Sequence, residues 1–264
     1  MKKKLCSLFL VTVMAASMLG CGGKDKTFTV GFDAEFPPYG YMDEDGEYTG
    51  FDLELAKEVC ERNGWELVKK PINWDSKDME LDSGSIDCIW NGFTMNGRED
   101  DYTWSDPYVD NSIVVAVKAD SKITALEDLE GKVVSVQADS SGLAALQGED
   151  ATEENIALTE TFAELQQVAD YNSAFMNLES GAVDAVVLDI GVARYQLSNN
   201  EGKFKILETP VSSEKYGIGF KKDNTELRDT VQKTLDEMVE DGTFAEIADH
   251  YKDYNLPEMI CLGE

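Results

Sequence analysis

Residues 79–90 read MELDSGSIDCIW, and residues 176–187 read MNLESGAVDAVV. Five of the twelve positions are identical, and most of the others are conservative exchanges. Each copy ends a helix, turns on a Ser-Gly pair and enters an apolar strand, and the copies start 97 residues apart. A period of that length is too long for a solenoid and is typical of a duplicated lobe. The repeat therefore predicts two similar Rossmann-like α/β lobes with a ligand cleft between them.

The segments around the first copy alternate between strand and helix patterns. Residues 27–32 alternate like a strand, and residues 51–63 carry apolar side chains on one helical face. A second strand is predicted at residues 65–69 and a short buried strand at residues 86–90. Strands that alternate with helices indicate βαβ units and a mostly parallel sheet, so the predicted fold class is α/β.

The limits of the lobes are placed where apolar strands give way to polar segments. The apolar run from Ile113 to Val117 precedes polar residues, which marks a first crossover near residues 114–120. A second crossover is expected near residues 208–214, before two closing amphipathic helices. The predicted division is residues 27–115 for the first part of lobe 1, residues 116–210 for lobe 2 and residues 211–264 for the completion of lobe 1.

The first 20 residues are predicted to be a secretory signal peptide. Three lysines precede an apolar run from Leu5 to Leu19, which is too short to span a membrane stably. The ending Met18-Leu19-Gly20-Cys21 resembles a bacterial lipobox, whose cysteine is lipidated and becomes the mature N-terminus. The alternative is an ordinary cleavable signal with an incidental cysteine. Lipidation of Cys21 would anchor an extracytoplasmic protein to the membrane without a spanning helix.

The composition excludes several classes of function. The 264 residues include 23 Lys and Arg against 52 Asp and Glu, which gives a formal net charge of −29. A surface so acidic repels phosphate backbones, so nucleic acid is a poor partner. A single histidine, His250, excludes sites that need several imidazoles, and no zinc-ligand spacing occurs. We therefore expect no metal and no cofactor.

Three cysteines remain beyond the signal peptide and Cys21, so at most one intramolecular disulfide can form. Cys88 lies in the apolar end of the first repeat and is predicted to be a buried core thiol. Cys60 and Cys261 are then the remaining candidates for a pair.

Candidate ligand-binding residues in the first part of lobe 1 follow strand ends. Asp33 and Phe36 come just after the first strand, in a loop that Pro37 and Pro38 make rigid. Trp74 lies in the loop after the second strand, and two aromatic faces would sandwich a ligand side chain. The alternative is that both aromatic residues belong to the core.

The segment that follows the first repeat carries groups suited to a carboxylate. Gly92 leaves a backbone amide approachable, Thr94 offers a hydroxyl, and Arg98 supplies a planar fork. The alternative for Arg98 is a surface salt bridge to Glu99 or Asp101.

Lobe 2 is predicted to contribute from two strand ends. Ser140 and Ser141 begin a helix, where hydroxyls and amides bind anions, so they complement Arg98 on one carboxylate. Asp189 ends the second repeat and would bind an ammonium group.

The chain resembles the amino-acid-binding proteins of polar amino acid ABC importers, solute-binding protein family 3, over essentially all of its mature length. These proteins have the periplasmic-binding-protein type 2 fold, with two lobes joined by two crossovers. The resemblance is carried by Gly31-Phe32-Asp33 with Phe36 and Pro38, Gly50-Phe51-Asp52-Leu53, Ile86-Asp87 leading to Thr94 and Arg98, Leu129-Glu130-Gly131-Lys132, and Asp184 to Asp189.

The resemblance implies a role for each candidate residue. The arginine at Arg98 grips the α-carboxylate, the residues at Gly92 and Thr94 share the carboxylate and ammonium, and the acid at Asp189 takes the α-ammonium. Ser140 and Ser141 close on the carboxylate from lobe 2. Phe36 and Trp74 clamp the side chain, and Asp33 meets a polar or basic tip.

Three positions depart from the family's pattern. Only three residues separate Thr94 from Arg98, where the family usually has four, so the guanidinium reaches the ligand by a different path. Asp139 occupies a position that is often glycine and adds negative charge near the carboxylate site. Asn91 stands where small residues are common, which suggests an extra polar contact and a place among the ligand-binding residues.

The sequence is therefore interpreted as a lipid-anchored, monomeric extracytoplasmic receptor that binds a free polar or cationic amino acid. It is expected to close its lobes on the ligand and deliver it to the permease of an ABC importer. The main alternative is an enzyme on the same fold, similar to cyclohexadienyl dehydratases, with Glu35 or Asp33 as general acid. A second alternative is the sensor module of a chemoreceptor or kinase.

Overall fold

The computed structural model describes residues 26–149 and 151–263. The predicted signal peptide, residues 1–20, and the predicted lipidation site, Cys21, lie outside the described residues. In the described part of the chain, no helix is both long and apolar enough to cross a membrane.

The first part of the chain builds one half of the sheet and its covering helices. Its elements are β1 (Thr27–Phe32), β2 (Glu35–Phe36), β3 (Gly40–Met42), β4 (Tyr48–Thr49), α1 (Phe51–Asn63), β5 (Glu66–Pro71), α2 (Lys77–Asp82), β6 (Cys88–Thr94), β7 (Thr103–Trp104) and β8 (Val109–Lys118). Short 3₁₀ helices lie at Trp74–Ser76 and Leu126–Leu129.

The remaining chain builds the other half and then returns to the first. Its elements are β9 (Val133–Gln137), α3 (Ser141–Gln147), α4 (Glu153–Glu160), β10 (Glu164–Val168), α5 (Tyr171–Ser180), β11 (Ala185–Asp189), α6 (Ile190–Asn199), β12 (Phe204–Ile206), β13 (Ser212–Phe220), α7 (Thr225–Asp241) and α8 (Thr243–Asp249). Two more 3₁₀ helices follow at Lys252–Tyr254 and Leu256–Glu258.

The main strands form one continuous sheet in the order β10-β9-β11-β8-β13-β6-β1-β5. Within each half the strands are parallel: β1 pairs with β5 and β6, and β9 pairs with β10 and β11. The long strands β8 and β13 run antiparallel to each other and connect the two halves. This topology confirms the predicted α/β class with two lobes and two crossovers.

Lobe 1 is the half built on β1, β5 and β6, and lobe 2 is the half built on β9, β10 and β11. The residue limits assigned to the lobes stay predictions.

The two copies of the sequence repeat make the same contacts in the two lobes. The Asp87 carboxylate accepts a hydrogen bond from the amide of Thr29, the third residue of β1, at 2.7 Å. The Asp184 carboxylate accepts one from the Val133 amide at the start of β9, at 3.0 Å. In each lobe, the aspartate of the repeat thus connects the segment before the repeat's own strand to the first parallel strand of that lobe.

The strand of the first copy starts later than the sequence predicts. It begins at Cys88 instead of residue 86, because the Ile86 amide still donates to the Glu80 carbonyl in the turn after α2. The helix at residues 51–63 is as predicted, and Gly64 ends it in the left-handed conformation, with φ 66°. Its buried face carries Leu55, Ala56 and Val59 into the core.

The disulfide between Cys60 and Cys261 that the sequence leaves open does not form, because Cys60 is a buried thiol. Cys60 points from α1 into the same hydrophobic core that holds Cys88. Burial raises the pKa of the Cys60 thiol to about 12, which keeps it protonated and inert. The prediction that Cys88 is a buried core thiol is confirmed.

Candidate ligand-binding cleft

The predicted site residues lie where parallel strands end. Asp33 follows β1, Thr94 ends β6, Ser140 follows β9 and Asp189 ends β11. The carboxyl ends of the parallel strands in open α/β sheets are where ligands bind, because loops and helix starts converge there. In this protein these ends face each other across the gap between the lobes, and direct contacts join them.

Asp33 forms one of these contacts between the lobes. Its Oδ2 accepts a hydrogen bond from Gln137 Nε2 of lobe 2 at 2.7 Å, and its Oδ1 accepts one from the Glu35 amide at 2.9 Å. Burial raises the pKa of the Asp33 carboxyl, and these two hydrogen bonds counteract part of the effect. Glu35 makes a further contact between the lobes, to the amide of Asn172.

A buried lysine that the sequence analysis did not single out connects the lobes at Asp139. The side chain of Lys77 is only 3% exposed, and its ammonium donates to the Asp139 carboxylate across the cleft. The φ angle of Asp139 is 56°, in the left-handed region. That backbone conformation favours glycine and explains why glycine suits this position. Lys77 balances the extra negative charge that Asp139 brings.

Arg98 lies between the lobes without an acidic partner among the described residues. Its guanidinium donates to two backbone carbonyls, that of Thr94 at 3.3 Å and that of Asp139 at 3.4 Å. The guanidinium carbon Cζ lies 5.2 Å from the centre of the Phe93 ring. The predicted alternative, a salt bridge to Glu99 or Asp101, is not formed. The loop between Thr94 and Arg98 is stabilised by a hydrogen bond from the Trp104 indole to the Arg98 carbonyl, at 3.0 Å.

Two cavities lie between the lobes. The Arg98–Glu214 cavity has a volume of about 390 Å³ and is lined by Thr94, Asn96, Gly97, Arg98, Ser141, Ala144, Ala145, Gly148, Glu149, Ser212, Ser213 and Glu214. The Asp33–Trp74 cavity has a volume of about 520 Å³ and is lined by Asp33, Ala34, Glu35, Pro71, Ile72, Asn73, Trp74, Asp75, Glu80, Ala138, Ala169 and Asp170. Both volumes are in the range of small-molecule sites.

Glu214 is the main site residue that the sequence analysis missed. Its Oε1 accepts hydrogen bonds from Thr94 Oγ1 at 2.8 Å, Asn111 Nδ2 at 2.8 Å and Ser141 Oγ at 3.2 Å. Two hydroxyls predicted to hold a ligand carboxylate thus donate to a carboxylate of the protein. Burial, followed by the nearby Asp189 carboxylate, raises the pKa of Glu214 to about 8.

Asp189 is linked to Glu214 through Asn111. Asn111 Nδ2 also donates to Asp189 Oδ1, at 2.9 Å. The hydroxyl of Tyr216 donates to Asp189 Oδ1, and that of Tyr171 donates to Oδ2 at 3.5 Å. Burial raises the pKa of the Asp189 carboxyl, and hydrogen bonds from Tyr216, Asn111 and the Glu214 side chain oppose the shift only in part. Asp189 lines neither of the two cavities.

The two predicted serines have different roles in the structure. Ser140 Oγ accepts from the Leu143 amide at 3.1 Å and donates to the Gln137 carbonyl at 2.8 Å, so it caps α3. Ser141 is the one of the pair that lines the Arg98–Glu214 cavity.

The two predicted clamp residues, Phe36 and Trp74, have separate partners. Phe36 packs against Tyr39 and Tyr171, with ring centres 5.8 Å and 5.9 Å apart. Trp74 packs edge-on against Phe93 at 5.5 Å and lines the Asp33–Trp74 cavity. The structure therefore places Trp74 at a cavity and Phe36 in an aromatic cluster beside Asp189.

The backbone amide of Gly92, expected to be open to a ligand, donates to the buried Asp52 carboxylate at 2.5 Å. Gly92 has φ 56°, and a Cβ there would lie 2.9 Å from the Tyr216 ring and 3.0 Å from the Phe36 ring. This position needs glycine because the two rings pack on its backbone. The neighbouring Asn91 is 1% exposed, and both ends of its amide lack a hydrogen-bond partner.

The described residues contain no group of three or more His, Cys, Asp or Glu side chains that could hold a metal ion.

Comparisons with known proteins agree with this arrangement. The family described as bacterial extracellular solute-binding proteins, family 3, matches residues 28–254. The L-cystine-binding protein TcyA of Bacillus subtilis (strain 168) is 30% identical over 272 residues, covering 94% of this chain and 96% of that protein.

Two solved structures are similar over most of the chain. An ancestral arginine-binding protein bound to glutamine is 34% identical with a TM-score of 0.77, covering 87% of this chain and 99% of the other. The substrate-binding protein of an ABC uptake transporter from Streptococcus pneumoniae with bound histidine is 32% identical with a TM-score of 0.80. That alignment covers 85% of this chain and 92% of the other.

Proposed function

The chain belongs to the bacterial extracellular solute-binding proteins of family 3, and on that premise we propose that it binds a free polar or cationic amino acid between its lobes. The bound amino acid is then passed to the permease of an ABC importer. Relatives named for cystine, arginine and histidine binding support this class of ligand.

Arg98 is the observation that carries the proposal. A guanidinium whose hydrogen bonds go to two backbone carbonyls, and which lines a cavity of about 390 Å³, is suited to receive a ligand carboxylate. Phe93 supports the guanidinium from one face, so its fork is already oriented before a ligand arrives.

The Asp33–Trp74 cavity supports a cationic or strongly polar ligand side chain. Its lining includes the carboxylates of Asp33, Glu35, Asp75, Glu80 and Asp170. Of these, Glu80 is paired with Lys70 at 2.7 Å, while Asp33 and Glu35 accept from amides of lobe 2. An indole face beside several carboxylates suits a guanidinium, ammonium or imidazolium group.

Closure of the lobes is the proposed response to the ligand. Three pairs of side chains make direct contacts between the lobes, and each contact would be lost if the cleft opened. The pairs are Asp33–Gln137, Lys77–Asp139 and Glu35–Asn172. A ligand that contacts both lobes shifts the population toward the closed form, which the permease would recognise.

The experiment is a thermal-shift screen of the processed protein against the twenty amino acids, ornithine and cystine. A ligand that binds only the folded state raises the melting temperature by mass action. We expect a rise with one or a few polar or cationic amino acids, and we expect Arg98→Met to abolish it. Arg62→Met removes an arginine that is paired with Glu58 and Asp241 away from the cleft, and it should keep the shift. A flat screen with ligand-free protein would refute the proposal.

We also propose that the protein is an anchored binding protein and not an enzyme. Lipid on Cys21 would hold it at the outer face of the cell membrane. Mass spectrometry of the mature N-terminus tests the lipid, and Cys21→Ser should release the protein from the membrane fraction. Turnover of prephenate or arogenate by the purified protein would instead support the dehydratase alternative.

A further inference from the structure

The methionines that begin the two copies of the sequence repeat are the most exposed large apolar side chains among the described residues. Met79 on α2 is 68% exposed, and Met176 on α5 is 71% exposed. A single exposed apolar side chain is ordinary on a protein surface. Here the same side chain faces solvent at the same position of both lobes, and that coincidence needs a cause.

The other identical positions of the repeat are explained by the fold. They are a buried leucine, a serine that donates to the carbonyl three residues earlier, a glycine in the left-handed conformation, and an aspartate that binds the first strand of its lobe. The pairs are Leu81 and Leu178, Ser83 and Ser180, Gly84 and Gly181, and Asp87 and Asp184. The methionine is the one identity that packing, turn geometry and hydrogen bonding leave unexplained, because most of its surface faces solvent.

An approximate two-fold axis relates the lobes. From either edge, the sheet order gives an edge strand, the first strand of the lobe, the strand of the repeat and a long connecting strand. The repeat aspartates bind Thr29 in lobe 1 and Val133 in lobe 2, so these two residues are equivalent. Four residues further on, the equivalent residues Asp33 and Gln137 contact each other. Equivalent residues meet only beside a two-fold axis, so the axis passes through the cleft at this contact.

The helices that carry the methionines begin beside the cleft. Lys77, the first residue of α2, contacts Asp139 of lobe 2, and Asn172, the second residue of α5, contacts Glu35 of lobe 1. At a rise of 1.5 Å per residue, the methionines lie about 3 Å and about 6 Å further along their helices. They flank the junction of the lobes from opposite sides, and the distance between them changes when the lobes open.

A partner that contacts both methionines needs two equivalent apolar pockets at a fixed spacing. Two subunits of a dimer, or two repeated halves of one chain, supply such a pair. The formal net charge of −29 repels a second copy of this chain and an anionic lipid surface, and it favours a partner with basic loops. Methionine is enriched in protein interfaces, where its flexible side chain fills irregular apolar pockets.

We propose that Met79 and Met176 are docking side chains that insert into two equivalent apolar pockets of the permease, and that their spacing lets the permease select the closed form. This inference rests on the proposed function and adds to it the surface that the importer contacts. Neither methionine is among the residues that line the two cavities, so docking and ligand binding use different side chains.

The test replaces Met79 and Met176 by glutamine, singly and together, because glutamine is polar, similar in length and a good helix former. The control is Met42→Gln, which changes a methionine of β3 that is 51% exposed and lies outside the repeat. Cells of the source organism that lack the native gene receive each full-length variant, and uptake of radiolabelled L-arginine, L-histidine, L-glutamine and L-cystine is measured.

Three measurements on the purified variants accompany the uptake assay. Calorimetry with the same four amino acids gives the ligand affinity, and thermal unfolding gives the melting temperature. Analytical ultracentrifugation of the wild type and the double variant shows whether a second copy of the chain covers the methionines.

We expect each single substitution to slow uptake at limiting amino acid concentration. The double substitution should slow it about tenfold or more, because two apolar side chains are no longer buried in the docked complex. Ligand affinity and melting temperature should match the wild type, since both side chains are exposed and lie outside the cavities. Met42→Gln should support uptake as the wild type does.

Several results would overturn the inference while the proposed function stands. If the double variant supports wild-type uptake, the methionines do not dock on the permease. If only one of the two substitutions slows uptake, the lobes do not contact the permease as a matched pair. If ligand affinity falls together with uptake, the methionines act on the cleft. If the wild type is a dimer that the double substitution dissociates, a second copy is their partner.

Failure of the proposed function has a separate signature. If the wild type binds none of the amino acids in calorimetry, the proposed function fails, and the docking role of the methionines fails with it.

Discussion

Replacing Asp139 by Asn is predicted to loosen the closed arrangement of the lobes. The substitution removes the negative charge that Lys77 contacts across the cleft, while asparagine tolerates the left-handed backbone found there. Lys77 is then left almost fully buried, and its remaining acidic partner among the described residues is the Asp78 carboxylate of its own helix, at 3.7 Å.

The exposure of the two partners sets the size of the effect. Breaking a fully buried ion pair by removing one partner costs about 3–5 kcal/mol, whereas an exposed pair is worth about 0–1 kcal/mol. The Lys77 side chain is 3% exposed but that of Asp139 is 50% exposed, so this pair falls between these limits. We expect a loss of about 1–2 kcal/mol, which shifts the ratio of closed to open molecules about tenfold.

Two assays measure this shift. Fluorophores placed on α4 of lobe 2 and α7 of lobe 1 report the distance between the lobes, and calorimetry reports the affinity for the amino acid found in the screen. Asp139→Asn should lengthen the mean distance and weaken binding about tenfold, because the ligand must then close a more open protein. The control is Asp78→Asn, which removes the other carboxylate near Lys77 without touching lobe 2. Equal behaviour of Asp139→Asn, Asp78→Asn and the wild type would refute the reasoning.

Three further predictions test other parts of the structure. Arg98→Lys keeps the positive charge but loses the planar fork, so ligand affinity should fall about tenfold while the melting temperature without ligand stays unchanged. Burial raises the pKa of Asp52 to about 7, above its value in the unfolded chain, so this group's contribution to stability falls as pH rises from about 4 to about 7. Asp52→Asn should therefore flatten the pH dependence of the free energy of unfolding by on the order of 3 kcal/mol over that range. An unchanged slope would contradict the raised pKa of Asp52. Gly92→Ala forces a Cβ against the rings of Tyr216 and Phe36 in a left-handed backbone, and chemical denaturation should show a loss of about 1–3 kcal/mol.

The sequence was informative wherever a site residue follows a parallel strand. Asp33, Thr94 and Asp189 each lie at or just after the end of a strand, so local pattern was enough to place them at strand ends. The repeat also showed that two lobes exist, because the same Ser-Gly turn and aspartate recur at the same distance from a strand.

The residues that were missed lie inside the connecting strands. Glu214 and Asn111 are direct cross-strand neighbours in the antiparallel pair of β13 and β8, although about 100 residues separate them in sequence. Such a pair becomes visible only when the register of two distant strands is known. One signal was present, since Glu214 and Tyr216 are two residues apart in a strand and so point to the same face.

Lys77 was missed for a different reason. It lies among acidic residues in a short helix, where a lysine is usually exposed, and nothing nearby in sequence indicates the Asp139 carboxylate. The surroundings of the Arg98 guanidinium likewise depended on the tertiary structure, because neighbouring acids in sequence offered it a salt bridge that does not form.

The strand β13 both joins the two lobes and carries Glu214 and Tyr216 into the cleft. A substitution there that suits a new ligand also alters the strand along which the lobes are connected. We therefore expect ligand preference and ease of closure to change together in this chain. Directed evolution toward another amino acid should therefore accumulate changes in β13 in pairs, one that alters recognition and one that restores the closing motion.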